Sequence, residues 1–197
     1  MEIVIASHSV HKIKEFRDMF KVFKHIDVLS LLDFPHYSLP KETGTTFEEN
    51  ATQKAVDASI VLNRYVLADD SGLVVPELES KPGIYSSRYA GLEATDAENR
   101  QKLLQNMKDF SDDQRSCYFE CCLAIASPNG LEKLSTSTCQ GVILKEERGR
   151  NGFGYDSLFV KLDYEKTFAE LEESIKNRIS HRSKAFEKLI PTLETLI

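Results

Sequence analysis

The chain is expected to form a mixed α/β fold, on three observations. An apolar segment, EIVIA (2–6), hands over to a helix-patterned stretch; helical and strand patterns then alternate; and Pro128-Asn129-Gly130 separates two β-prone runs. Alternation of this kind builds a parallel sheet, and the late hairpin adds antiparallel strands, so a mixed central sheet with flanking helices is expected rather than a pure doubly wound one. At 197 residues, with no internal repeat and no linker composition, the chain reads as a single domain over 1–197.

Each element has its own signal. After strand 2–6, Ser7-His8-Ser9 turns the chain into a helix from about Val10 to Lys24, on which Ile13, Phe16, Phe20 and Phe23 recur at helical spacing. Residues 26–31 suggest a second strand, followed by an irregular segment with two prolines and a glycine. Thr46-Phe-Glu-Glu49 has capping-box spacing and opens a helix to about residue 63, with Asn50, Lys54 and Asp57 together on one face. Strands follow at 65–69 and 72–76, meeting in a bend at Asp69-Asp70-Ser71-Gly72. Thr95-Asp-Ala-Glu98 opens another helix, to about Met107. The hairpin joins strand 115–127 to its return, SLFV is a further strand, and the C-terminal part is helical from about Ser180 to Thr195 with an interruption at Pro191.

Composition excludes several classes. A net charge of -6 argues against a protein that grips a polyanion, so nucleic acid is not an expected partner. The N-terminus lacks a charged region leading into an apolar one, and no run of some 18 apolar residues occurs, so neither secretion nor a membrane is expected. The four cysteines, at 117, 121, 122 and 139, show no C-x-x-C spacing and read as buried reduced thiols of a cytoplasmic protein.

The stretch LADDSGLVV (67–75) sets two carboxylates inside an apolar run. Burying an unpaired charge costs several kcal/mol, by rough estimate, so something must offset Asp69 and Asp70. Oxygen ligands without nearby His or Cys suit a hard ion, and Mg²⁺ is commonly held by one or two carboxylates with phosphates completing its shell. Glu42 is a second carboxylate source. An acidic pair solvated at a turn accounts for the same residues equally well. No G-x-x-x-x-G-K-[ST] occurs, which excludes a P-loop NTPase, and GRNGFGYD fails the G-x-G-x-x-G pattern at Ser157. In Gly152-Phe153-Gly154-Tyr155-Asp156, the ring of Phe153 between two glycines is shaped either to stack on a nucleobase or to close a turn against the core.

Six stretches occur in order: ASHSVHKIKE (6–15), ETGTTFEENA (42–51), LADDSGL (67–73), PGIYSSRYAG (82–91), GFGYD (152–156) and ISHR (179–182). Together they resemble the inosine triphosphate pyrophosphatase family, house-cleaning enzymes that convert non-standard purine nucleoside triphosphates to monophosphate and pyrophosphate. The resemblance spans essentially the whole chain. It implies an elongated mixed sheet in two lobes around an active-site cleft, a homodimer, and Mg²⁺-dependent hydrolysis of dITP, ITP and XTP or dXTP. Alternatives are the same hydrolysis on another modified nucleotide, or a catalytically silent nucleotide binder.

Residue by residue, the resemblance implies that Ser7, His8, Ser9, Val10, His11 and Lys12 form the phosphate-binding turn, joined by Lys54. It implies that Glu42 and Asp70 hold Mg²⁺, with Asp69 nearby or as a further ligand, that Asp70 is also the proton acceptor for the attacking water, and that Ser71 touches the substrate. Phe153, with Gly154 and Tyr155, is implied to stack on the purine, while Asp156, Lys176, His181 and Arg182 line its edge. A metal and a triphosphate would then offset the two buried aspartates. The chain departs from the family's usual Thr-x-Asn at Ser7-His8-Ser9, where Ser9 replaces an asparagine expected at the phosphates.

Overall fold

The computed structural model describes residues 1–196; Ile197, the last residue of the expected single domain, lies outside them. The strands are β1 (Glu2–Ile5), β2 (Asp27–Ser30), β3 (Tyr65–Val75), β4 (Lys81–Pro82), β5 (Ser116–Ser127), β6 (Gly130–Ile143) and β7 (Phe159–Lys161). The helices are α1 (Val10–Phe20), α2 (Phe47–Leu62), α3 (Asp96–Asn106), α4 (Glu173–Ile179), α5 (His181–Glu187) and α6 (Ile190–Leu196). Hydrogen-bonded strand order is β2-β1-β3-β5-β6-β7, with β4 beside β3. β1 pairs in parallel with β2 and β3, whereas β7 is antiparallel to β6, so the sheet is mixed as expected.

Two compact units divide the chain. The first comprises Met1–Asp70, Cys121–Ser137 and 182–196; the second comprises Ser71–Glu120 and Thr138–His181. In the first, Ile3 and Ile5 of β1, Phe16 and Phe20 of α1, Leu123 of β5 and Phe186 of α5 share one apolar core. Removing such side chains from water is the dominant favourable term in folding, and it turns the polar face of α1 outward. The second unit has its own core, built on Leu73, Leu103, Met107, Phe119, Phe159 and Phe168. All four cysteines are buried thiols that form no disulfide.

Local chemistry places most boundaries where the sequence puts them. Thr46 and Thr95 each accept a hydrogen bond from the backbone N–H three residues on, starting α2 and α3. At α3 the box closes, because Glu98 accepts from the Thr95 N–H at 2.7 Å; at α2, Glu49 instead accepts from the Thr45 N–H at 2.6 Å. α1 stops at Phe20, short of Lys24, with Lys21 as its cap. The two strands expected to meet in a bend at Asp69–Gly72 are one uninterrupted strand, β3. This corrects the bend, and it fixes the aspartates: adjacent residues of a continuous strand face opposite sides of the sheet. The C-terminal helical stretch is interrupted as expected, but at residues 188–189, so that Pro191 lies in the first turn of α6 and not at the break; α4 precedes α5 and α6.

Candidate active site

In the first unit, β1 ends at Ile5 and the Ala6 N–H still donates to Leu67 O of β3 at 2.8 Å. The chain then turns through Ser7, His8 and Ser9 into α1. Ser9 caps the helix, its hydroxyl accepting from the Lys12 N–H at 3.4 Å, while Ser7 Oγ accepts from the Ser9 N–H at 3.1 Å. Two of the hydroxyls expected at the phosphates therefore order the turn itself. His8, Val10 and His11 are exposed, and no acidic residue occupies the first turn of α1, whose N-terminus favours an anion.

Asp69 is almost fully buried, and its neighbours are cations of the same unit. Lys12 Nζ lies 2.7 Å from Oδ1, and Arg182 Nη2 lies 2.9 Å from Oδ2. Burial alone would raise this carboxyl; Lys12, Arg182 and Lys54 outweigh it and hold Asp69 well below the usual carboxylate range. Arg182, 1% exposed, also donates to Glu15 Oε2 at 2.6 Å, so its guanidinium spans α1 and β3. This side chain, expected at the purine edge, donates to two carboxylates of a buried ion network. Asp69, expected as a further metal ligand, has two cations of the chain at its oxygens.

Asp70 points the other way, toward α2. Asn50 and Lys54, one helical turn apart, reach it together: Asn50 Nδ2 donates to Oδ2 at 3.1 Å, and Lys54 Nζ lies 3.3 Å from Oδ1. The same face of α2 clasps the irregular segment before it. Lys54 Nζ donates to Glu42 Oε1 at 2.9 Å, Asn50 Oδ1 accepts from the Gly44 N–H at 2.9 Å, and Gln53 Nε2 donates to Lys41 O at 3.1 Å. Glu42 and Asp70 thus converge, although 28 residues apart in number, because one helix face grips both segments. Burial, the largest influence, and the charge of Glu42 push Asp70 up, Lys54 and Lys12 pull it down, and the net direction is upward. Lys54 is buried too, yet Asp70, Asp69 and Glu42 keep its ammonium favoured and its pKa raised.

Two converging carboxylates, one of them disfavoured as an anion by burial and by the other, form an oxygen-only donor set that fits a hard divalent cation. Among the described residues no cluster of three or more His, Cys, Asp or Glu makes a cage by itself. The pair is the arrangement that leaves remaining positions to water and phosphate. The balance of charge on the two aspartates, expected to come from a metal and a triphosphate, is supplied first by Lys12, Arg182 and Lys54.

The second unit carries the aromatic segment. Gly152 and Gly154 have φ of +77° and +59°, and a Cβ on Gly152 would collide with the Asp156 carboxylate. That tight turn lets Asp156 Oδ2 accept from the Phe153 N–H at 2.9 Å and from Lys176 Nζ at 2.6 Å. Lys176 Nζ also lies 4.5 Å from the centre of the Phe153 ring, a cation-π distance. Gly154 is fixed from both sides, its N–H donating to Asp96 Oδ2 at 2.7 Å and its carbonyl accepting from Arg100 at 2.8 Å. Tyr155 is buried, with its hydroxyl donating to Ser86 O at 2.9 Å, and so serves the turn from beneath. His181 stacks on Phe119 at 4.7 Å between ring centres, and Ser71 is half-buried on β3.

Phe153, Asp156 and Lys176 lie together in the second unit, and Glu42 and Asp70 in the first, where Lys54, expected at the phosphates, contacts both carboxylates. Sequence reasoning missed Glu15 and the site role of Asn50 in the first unit, and Asp96 and Arg100 in the second. Helical spacing offered a signal for two of them: Asn50 precedes Lys54 by four, and Glu15 follows Lys12 by three.

Comparison with known proteins gives a consistent result. A dITP/XTP pyrophosphatase of Protochlamydia amoebophila is 61% identical over 197 residues, covering 100% of this chain and 99% of that protein. One from Chlamydia caviae is 49% identical, covering 100% and 96%. Among solved structures, the Staphylococcus aureus Ham1 protein matches with a TM-score of 0.88 at 39% identity, covering 100% of both chains. A HAM1 protein from Coxiella burnetii matches with a TM-score of 0.88 at 40% identity and 99% coverage of each. The model of the Ham1 family matches residues 3–192, and the chain belongs to that family.

Proposed function

We propose that this chain hydrolyses non-standard purine nucleoside triphosphates, dITP, ITP and XTP or dXTP, to the monophosphate and pyrophosphate. The observation that carries the reading is the convergence of Glu42 and Asp70 on Lys54, close to the turn that opens α1. Relatives named dITP/XTP pyrophosphatase support the substrate class. Residues 1–197 act as one pyrophosphatase domain, cytoplasmic and homodimeric.

The cation is read as Mg²⁺, on the oxygen-only donors Glu42 and Asp70; when bound, it supplies charge neutralisation as the bond between the α- and β-phosphates breaks. Asp70 takes the proton of the attacking water, a task favoured by a carboxyl lifted above its ordinary value. Lys12, Lys54 and the N–H groups at the start of α1 hold the phosphates. Asp69 positions Lys12 and β3 through its ion pairs rather than ligating the metal.

The ring of Phe153 stacks on the base, and Lys176, oriented by Asp156, presents a donor to a 6-oxo group. Adenine offers a donor at that position and would leave the ammonium facing it unsatisfied, a mismatch worth roughly 10⁴-fold in discrimination. Ser71 and the backbone at His181 complete the contacts.

Pyrophosphate release from dITP, ITP, XTP, dATP and dGTP, with and without Mg²⁺, tests the reading. Turnover is expected on the first three and only with the cation; equal turnover of dATP would overturn it. Truncation of Phe153 to Ala is expected to raise KM about tenfold with kcat little changed, because stacking is made equally in ground and transition states. A kcat loss at constant KM would place the ring elsewhere.

A further inference from the structure

The strongest unassigned feature of the first unit is the position of Lys54. Its ammonium lies 2.9 Å from Glu42 Oε1 and 3.3 Å from Asp70 Oδ1, in contact with both carboxylates read above as metal ligands. Its side chain is only 8% exposed. The Asp70 side chain is similarly buried and that of Glu42 is 24% exposed, so solvent screens the two carboxylates only in part and the ammonium between them offsets their repulsion. Neutral hydrogen bonds also join that segment to α2: the Gly44 N–H donates to Asn50 Oδ1, the Thr43 N–H donates to Gln53 Oε1, and Gln53 Nε2 donates to Lys41 O.

We propose that Lys54 is a stand-in cation that holds Glu42 and Asp70 assembled until the divalent ion arrives, and that the ion displaces it toward the phosphates. Two cations cannot share the same carboxylate oxygens at contact distance without strong repulsion. The side chain leaves an ion pair, and a flexible four-carbon stem lets the ammonium move while its Cα stays on α2. One residue then serves in both states: it preassembles the site, and once displaced it supplies positive charge to the triphosphate. Metal and nucleotide consequently reinforce each other, since the phosphates offer Lys54 the partner it lost. The proposal rests on the reading of Glu42 and Asp70 as the metal site and adds the exchange of partners.

Direct metal binding tests it without relying on turnover. Mn²⁺ binding to the nucleotide-free protein, followed by electron paramagnetic resonance, is expected to be roughly tenfold tighter in Lys54→Gln than in the wild type, because the competing ammonium is gone. Binding of a non-hydrolysable dITP analogue in the presence of Mg²⁺ is expected to move in the opposite direction, weaker by a similar factor. Equal or weaker Mn²⁺ binding in the variant overturns the exchange.

Removal of Lys54 leaves two carboxylates facing each other, so a measurement on the wild type accompanies the variant. Acylation of Lys54 by an amine-reactive probe, read by mass spectrometry, is expected to be slow in the metal-free protein and several-fold faster when Mg²⁺ is added without nucleotide. Unchanged or slower labelling overturns the proposal. Absence of any Mn²⁺ binding to the wild type, with or without nucleotide, would instead contradict the metal site itself, which separates the two failures.

Discussion

Asp70→Asn is expected to lower turnover of dITP by three orders of magnitude or more while leaving the protein folded. Removal of a positioned proton acceptor costs roughly 10²–10⁴-fold by itself, and the same change removes one of the two carboxylates proposed to hold the cation. The structural consequences are small by comparison. An amide is nearly isosteric with the carboxylate, and burial disfavours the Asp70 anion, so the attraction to Lys54 and Lys12 that is forfeited is offset by the burial cost and the Glu42 repulsion that are relieved. Thermal unfolding of the variant beside a pyrophosphate assay separates the two effects. Full turnover in a folded Asp70→Asn protein would remove Asp70 from the chemistry.

Replacement of Arg182 by Met is expected to have the opposite character, with its primary effect on stability. The guanidinium is 1% exposed and joins Glu15 of α1 to Asp69 of β3. Deletion of one partner of a buried ion network leaves uncompensated charge in the interior, at a cost of about 3–5 kcal/mol. Here two carboxylates are left, although Lys12 still serves Asp69 at 2.7 Å. The methionine fills a similar volume and keeps contact with the Phe16 ring, which Arg182 now overlies at 5.8 Å. Urea denaturation measures the loss, and a triple variant that also carries Glu15→Gln and Asp69→Asn is expected to regain most of it. A shift of the single variant below about 1 kcal/mol would show that the network contributes little to the folded state.

The two variants differ because β3 sends consecutive aspartates to opposite faces. On one face, Asp69 meets Lys12 and Arg182 and is part of the scaffold. On the other, Asp70 meets Asn50, Lys54 and Glu42 in a setting that raises its pKa. Two identical side chains thus acquire different roles from their surroundings.

Features that depend on near neighbours along the chain are legible in the amino-acid sequence. The threonines at 46 and 95 announce their helices because a cap involves residues three apart. Pro128-Asn129-Gly130 announces its hairpin because a turn is equally local. The continuity of β3 is not legible: Ser71-Gly72 resembles a bend, yet β4 pairs with β3 at Val74 and Val75, extending the strand well past the glycine. α4 starts at Glu173 without a side-chain cap and spans only Glu173–Ile179, so it leaves almost no periodic trace.

The candidate site divides in the same way. An Asp-Asp pair in an apolar run demands a source of positive charge, and that demand is visible in the sequence. Which groups meet it is not, because Arg182 lies 113 residues from Asp69 and only the tertiary fold joins them. Its place in the ISHR stretch suggests the purine edge, whereas the residue beside it, His181, belongs to the other unit. Lys54 reads as a phosphate ligand by resemblance, and its contact with both carboxylates emerges only from the folded chain.

The position of a bound metal tests the central claim most directly: that carboxylates from two separate segments hold a cation at the phosphates. Crystals of the wild type grown with Mn²⁺ and a non-hydrolysable dITP analogue are expected to show an anomalous peak in coordination contact with both Glu42 and Asp70 and with phosphate oxygen. A peak bound to Asp69 but not to Asp70, or one away from Glu42, would contradict the account.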